Sequence, residues 1–339
     1  QRSTTMKHPT VAAVDQLLVQ AHESADRLDL RTAITLCRQA CDADTSSAEA
    51  LDALSEFCLQ AGETDEAMRA LQKSVKLAPD GGSGRFMYLG QLSTGADALR
   101  WFERGISTLR TEREQLESTS GSRDELHAQW VASSQALAAA LCTVAEVYLT
   151  DACDEPDAET ACEALATEAM QLISSLDNQS LPEPYQTMAS LRLSQQRVAE
   201  AAPLVMRALE ITDALDATPQ QPSLEMRTAL AKLLMEVERP ADAFELLQAL
   251  RMEDDESLEL WYLLCCAAQQ AGELDAAHAE LEQAVQFAQG PTCPPEEQEW
   301  RATLEELLTA VEQERGERVA RGDEAVPTSR KRLSERSSS

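Results

Sequence analysis

"QAGETDEAMRALQKSVKLAP", residues 60–79, decides the fold of this chain. Ala61-Gly62-Glu63 allows a tight reversal, and Asp65-Glu66-Ala67 opens a helix behind it. Ala67 and Leu71 stand four apart, hence on one helical face, and Pro79 stops the helix. The stretch reads as the second half of one structural repeat. A chain built that way works through a surface and not through a catalytic pocket.

Internal periodicity supports this. The window "AEALDALSEFCLQAGETDEAMRALQKSVKLAP" (48–79) lines up with "LELWYLLCCAAQQAGELDAAHAELEQAVQFAQ" (258–289). Leu51, Leu54, Cys58, Gly62, Ala67 and Leu71 answer Trp261, Leu264, Ala268, Gly272, Ala277 and Leu281. A weaker copy lies 34 residues before each, one carrying Leu17, Ala21, Ala33 and Ala40, the other Leu230, Ala231, Ala243 and Leu247. A fifth copy holds Tyr185, Met188, Ala189, Ala201 and Ala208. Small Ala67 and Ala277 let two helices approach closely. The pattern resembles the tetratricopeptide (TPR) repeat, which implies an all-α fold: a right-handed TPR superhelix (α-solenoid) with a C-terminal capping helix.

The middle of the chain is irregular. Residues 84–109 read as a repeat with a shortened first helix, Ala98 and Phe102 packing and Gly105 permitting close contact. One long helix is expected from about Arg123 to Thr150, with 158–173 returning antiparallel after the loop "TDACDEPD". A final helix, about 296–320, puts Trp300, Leu304, Leu307, Leu308 and Val311 on one face, as a cap requires. The expected organisation is therefore 1–12 disordered or a remnant of truncation or cloning, 13–321 a solenoid of about seven helical pairs with its cap, and 322–339 a disordered basic tail.

Composition narrows the function. Hydrophobic residues make up 43% of the 339 but aromatic ones only 4%, the usage of packed helices. Lys and Arg total 29 against 59 Asp and Glu, a formal charge of −30, which repels nucleic acid and anionic membranes and attracts basic ligands. The longest apolar run, Ala136–Leu149, is broken by Glu146 and falls short of a membrane span. Nine cysteines, an odd number, are scattered along helical patterns and read as buried thiols of a reducing compartment, although Cys37 and Cys41 lie one turn apart. The glycines of "DGGSGRFMYLG" (80–90) follow no strand and precede no Gly-Lys-Ser/Thr, so they read as a turn rather than a phosphate loop. His8, His22, His127 and His278 pair with no nucleophile in a recognisable motif. The sequence calls for no catalytic residue, no metal and no cofactor.

In the TPR fold, first helices line a concave groove. In the second repeat its facing positions are Glu49, Asp52 and Glu56, three and four apart. The matching register elsewhere gives Asp15, Asp26, Glu146, Glu183, Glu225, Glu236 and Glu259, with Met235 and Tyr262 as apolar contacts and Lys232 as the basic exception. Such a lining complements a basic ligand; the alternative is a solvated acidic surface. Clamps that grip the acidic C-terminus of heat-shock chaperones need Lys and Asn where Leu18, His22, Asp52 and Glu56 stand, so that ligand is excluded by sign.

"MYLGQLSTGADALRWFERGISTL" (87–109), "EVYLTDACDEPDAETACEALATEAM" (146–170) and the acidic array together resemble a narrower, fungal family. It is the dedicated assembly chaperones of the large-subunit ribosomal protein uL-four. The resemblance implies a non-catalytic escort that captures the nascent basic protein, shields its long internal loop and travels with it between cytoplasm and nucleus. A TPR scaffold docking short peptides in a multiprotein complex is the alternative, and a regulatory subunit of an enzyme is the third. The tail reverses the sign of the body: residues 326–339 carry +3, leaving −33 on the remainder. Within it, Arg330, Lys331 and Arg332 form a candidate for recognition by the nuclear import machinery.

Overall fold

The computed structural model describes residues 9–117, 122–176, 181–291, 293–295 and 297–321, and every regular element among them is helical. Two compact units divide after Leu176. The first contains α1 (Pro9–Asp26), α2 (Leu30–Ala43), α3 (Ala48–Gln60), α4 (Thr64–Leu77), α5 (Gly84–Gln91), α6 (Gly95–Glu117), α7 (Arg123–Leu149) and α8 (Ala158–Ser174). The second contains α9 (Glu183–Ser194), α10 (Val198–Leu215), α11 (Leu224–Glu236), α12 (Pro240–Glu253), α13 (Leu258–Gln270), α14 (Leu274–Gln289), a 3-10 turn (Glu297–Glu299) and α15 (Trp300–Arg321). Odd and even helices pair as hairpins, seven among the described residues, and α15 closes the last. Helix α1 begins at Pro9, earlier than the expected boundary at residue 13. Residues 1–8 and the whole tail from 322, with Arg330, Lys331 and Arg332, lie outside the described residues.

The repeat arithmetic has a direct physical counterpart. Ala33, Ala67, Ala201, Ala243 and Ala277, the same position in five copies, are all fully buried where the second helix crosses the first. A larger side chain there would displace a helix, at about 1–3 kcal/mol. Ser47, Ser223 and Ser257 cap α3, α11 and α13, each accepting a hydrogen bond from the backbone N–H three residues on, at 3.1, 3.2 and 3.4 Å. In the shortened repeat, a Cβ on Gly105 would stand 2.7 Å from the Met87 sulfur, so glycine lets α6 approach α5 without displacing that side chain.

Turns inside the hairpins explain why three copies looked weak. Gly62 and Gly272 adopt left-handed backbone, φ 77° and 78°. Leu28 and Glu238 stand 34 residues before them and adopt the same conformation, φ 63° and 59°, as does Gln196 at 60°. The geometry is kept although the glycine is not. A side chain in this region costs about 1–2 kcal/mol, partly offset by the entropy glycine loses. Leu28→Gly and Glu238→Gly are expected to raise the unfolding free energy measured by denaturant titration by about 0.5 kcal/mol each, and Gly62→Ala to lower it by about 1 kcal/mol.

Helix α7 corrects the reading of apolar runs. At 27 residues it is long and apolar enough to cross a membrane by composition. It instead forms the core of the α7–α8 hairpin, burying Leu137, Ala138, Leu141, Cys142 and Ala145.

Candidate binding face

The first helices of each hairpin carry the candidate residues, and burial decides which way they point. On α3, Ala50, Leu51, Ala53, Leu54, Phe57 and Cys58 are buried against α2 and α4. This leaves Glu49 exposed and Asp52 and Glu56 half-buried on one remaining face. The first helices α1 and α3 also touch on the buried side. The His22 ring of α1 meets Phe57 edge-on at 5.3 Å between centroids. On α5, burial first and the Glu56 carboxylate second push the Tyr88 phenol above its ordinary value.

Asp52 needs correcting as a groove contact. Its carboxylate accepts hydrogen bonds from the Ser74 hydroxyl of α4 and from Arg85 of α5, each at 2.5 Å. Arg85 is buried, 7% exposed at the side chain, and its other Nη donates to the Ala78 carbonyl at 2.8 Å. Asp52 therefore serves as the counter-ion of a core arginine joining three helices. Charge reversal there would damage the fold as well as any binding.

In the second unit, α11 presents Glu225, Lys232 and Glu236 exposed and Met235 half-buried. Lys232 pairs with Glu259 of α13 at 2.7 Å, so the basic exception neutralises an acid taken as a ligand contact. Tyr262 packs against Trp300 of α15 at 5.4 Å between ring centroids. Gln269 donates to Glu314 at 2.8 Å. Helix α15 thus packs on α14 and edges α13 as the next first helix would. Tyr262, half-buried, thus lies at the cap junction.

The other candidates differ in how available they are. Asp15 and Glu183 are half-buried and Glu146 exposed, and each has interactions of its own within the fold. Asp26, Glu49 and Glu56 in the first unit, and Glu225 and Glu236 in the second, are not tied up in ion pairs among the described residues. Each unit therefore offers a smaller set of available carboxylates than the charge count implied.

Sequence reasoning missed the two buried arginines. Arg227 of α11 makes a bidentate pair with Glu253 at 2.6 and 2.7 Å and donates to the Pro222 carbonyl at 2.9 Å. The available signal was an arginine at a core register position of an otherwise apolar helix face. Arg227 holds the Glu253 carboxyl below the ordinary value of 4.5. A depressed carboxyl contributes stability that is present above its unfolded value and lost as pH falls through the native one. With Glu253 44% exposed and partly screened by solvent, Glu253→Gln is expected to cost about 0.5–1 kcal/mol at neutral pH, and the gap from the parent should close below about pH 4.5.

Cysteine chemistry is subdued. Burial pushes the Cys37 thiol up to about 12 and the Cys58 thiol to about 11. Cys58, Glu63 and Glu66 place ligand atoms within 4.8 Å of one another, but the Arg38 guanidinium holds both carboxylates, at 3.0 and 2.7 Å. A neutral thiol beside two arginine-bound acids is poorly disposed toward a metal ion.

Comparison with known proteins accords with this architecture. The tetratricopeptide-repeat profile matches residues 48–80, the second repeat. A protein of Schizosaccharomyces pombe named a probable assembly chaperone of rpl4 is 29% identical over 262 residues, covering 75% of this chain and 73% of that protein. Its namesake in Emericella nidulans is 35% identical over 248 residues, 68% of this chain; the chain spans 58% of that relative's length. A solved structure of the assembly chaperone of RpL4 (Acl4), residues 1–338, is 33% identical with a TM-score of 0.70, covering 78% of this chain and 99% of that one. The APC/C hetero-tetramer Cut9–Hcn1, 10% identical with a TM-score of 0.52, covering 89% of this chain and 55% of that one, shares the fold alone. On its helical hairpins and these likenesses, the chain belongs to the family of assembly chaperones of RpL4.

Proposed function

We propose that this chain is a non-catalytic dedicated chaperone that captures newly made RpL4, the large-subunit protein uL-four, and escorts it to nuclear pre-ribosomes. Membership of the family carries the reading. Its physics is electrostatic. Ribosomal-protein extensions that bind rRNA are basic and lack structure without it, so they aggregate or bind stray nucleic acid. The carboxylates Asp26, Glu49, Glu56, Glu225 and Glu236 supply substitute counter-charges on the groove side of the first helices. The extended internal loop is the natural occupant, and rRNA phosphates, at higher charge density, displace the chaperone at delivery. A net charge of −30 keeps the escort itself off nucleic acid and membranes.

Affinity capture of newly synthesised protein on the tagged chain tests this. RpL4 should be the dominant co-purifying species; a stable multi-subunit assembly in its place would favour a scaffold. Cargo is held in the cytoplasm and released in the nucleus, and the basic tail at Arg330, Lys331 and Arg332 assists entry through the import machinery. Deleting residues 326–339 is accordingly expected to lower nuclear accumulation only in part, with cargo binding in purified form unchanged. If cargo binding is lost instead, the tail belongs to the binding surface.

A further inference from the structure

Helix α4 stands out in a chain of 29 basic against 59 acidic residues. Its Arg69, Lys73 and Lys76 are spaced four and three apart, so they share one face over about 10 Å of helix. All three are exposed, on the second-helix side of the first unit. Elsewhere acids take up the cations: Glu63 and Glu66 hold Arg38, Glu168 holds Arg110 and Glu259 holds Lys232, at 2.7–3.0 Å. The three cations of α4 close no ion pair among the described residues. Glu66, which precedes them on the helix, is already engaged by Arg38. The helix dipole accounts for Lys76 in the last turn, but not for Arg69 or Lys73.

Two neighbours make the stripe more than a run of charge. Leu77 continues the spacing of Arg69 and Lys73 by one further turn and is 42% exposed, a large apolar side chain left in solvent. From α6, the exposed Arg104 donates to the Pro79 carbonyl just past the end of α4, and its guanidinium lies 4.6 Å over the Phe86 ring. A fourth cation is therefore fixed at the foot of the stripe. Cations and an exposed leucine side by side form a mixed surface of the kind that binds protein.

We infer that this stripe docks an acidic polypeptide segment of a partner other than the basic cargo. Carboxylates one helical turn apart, with an apolar side chain beside them, meet Arg69, Lys73 and Leu77 together. Basic cargo is repelled from the same surface. A nucleic acid is a poorer match, because its phosphates run on past about 10 Å of basic surface and meet the acidic remainder of the chain. The stripe and the first-helix carboxylates lie on different helices of the α3–α4 hairpin, so cargo and an acidic partner need not compete. The inference stands whether or not those carboxylates seat the cargo.

The test is fluorescence anisotropy of a blocked hexaglutamate peptide carrying an uncharged dye, titrated at low salt with the full chain. Saturable binding is expected, and none by the hexaglutamine peptide. The triple variant Arg69→Gln, Lys73→Gln, Lys76→Gln should bind hexaglutamate at least about tenfold more weakly, with an unchanged unfolding curve because the three side chains are exposed. Arg207→Gln, an exposed cation of α10, should leave binding intact. No saturable binding, equal binding by the triple variant, or tighter binding of hexathymidylate overturns the inference. So does a dimer of the parent that the triple variant dissolves, since a second copy would then occupy the stripe. RpL4 affinity is read in parallel: the triple variant should keep it, and a loss would place the stripe in the cargo site instead. Failure of the groove is read separately, from RpL4 binding by the Glu49/Glu56 double variant.

Discussion

A Glu49→Lys, Glu56→Lys double variant is expected to bind RpL4 at least about tenfold more weakly than the parent, a loss of roughly 1.4 kcal/mol or more. Its unfolding free energy should stay within about 0.5 kcal/mol of the parent, because Glu49 is exposed and Glu56 half-buried, both without ion-pair partners among the described residues. Lost attraction and new repulsion act together, since each substitution turns a counter-charge into a like charge. The parent's affinity should also fall steeply with added salt, as exposed charges are screened over roughly 8 Å at physiological ionic strength. The double variant should show a shallower salt dependence. Equal affinity in both proteins at low salt would mean that these carboxylates are only solvated.

Asp52 predicts the opposite division of effects. Asp52→Ala strands the Arg85 guanidinium, 7% exposed, without its carboxylate and leaves the Ser74 hydroxyl only its longer contact with the Ala48 carbonyl. Breaking such a pair by deleting one partner costs about 3–5 kcal/mol when both are buried; with Asp52 one-third exposed, about 2–4 kcal/mol is expected. Pairing Asp52→Ala with Arg85→Met should recover much of the loss, because no buried charge is then left uncompensated. Urea unfolding of the single and double variants measures both quantities. A midpoint unchanged by Asp52→Ala would show that Arg85 finds water or another acceptor at little cost.

The two variants also show where the sequence could be read and where it could not. Helical hairpins were legible because small residues such as Ala67 and Ala277 must recur at each crossing, and recurrence is visible in one chain. The αL turns at Leu28, Gln196 and Glu238 were not, because tertiary packing can hold a side chain in that conformation after the glycine is lost. The register of the candidate face was legible from the spacing of Glu49, Asp52 and Glu56. Their roles were not, since spacing places Asp52 on a face without revealing that an arginine 33 residues later lies beneath it. The neighbour of Tyr262 was hidden for a related reason: a capping helix docks where a further repeat would, and it brings Trp300 against the ring.

The central claim is that basic cargo lies along the available carboxylates of the first helices. Photocrosslinking from single positions of the intact chain to bound RpL4 tests it most directly. Probes replacing Glu49, Glu56, Glu225 and Glu236 should each capture the cargo, within its basic internal loop. A probe at exposed Gln72, on the second helix α4, should capture little. Strong adducts from residue 72 with none from 49, 56, 225 and 236 would contradict the account.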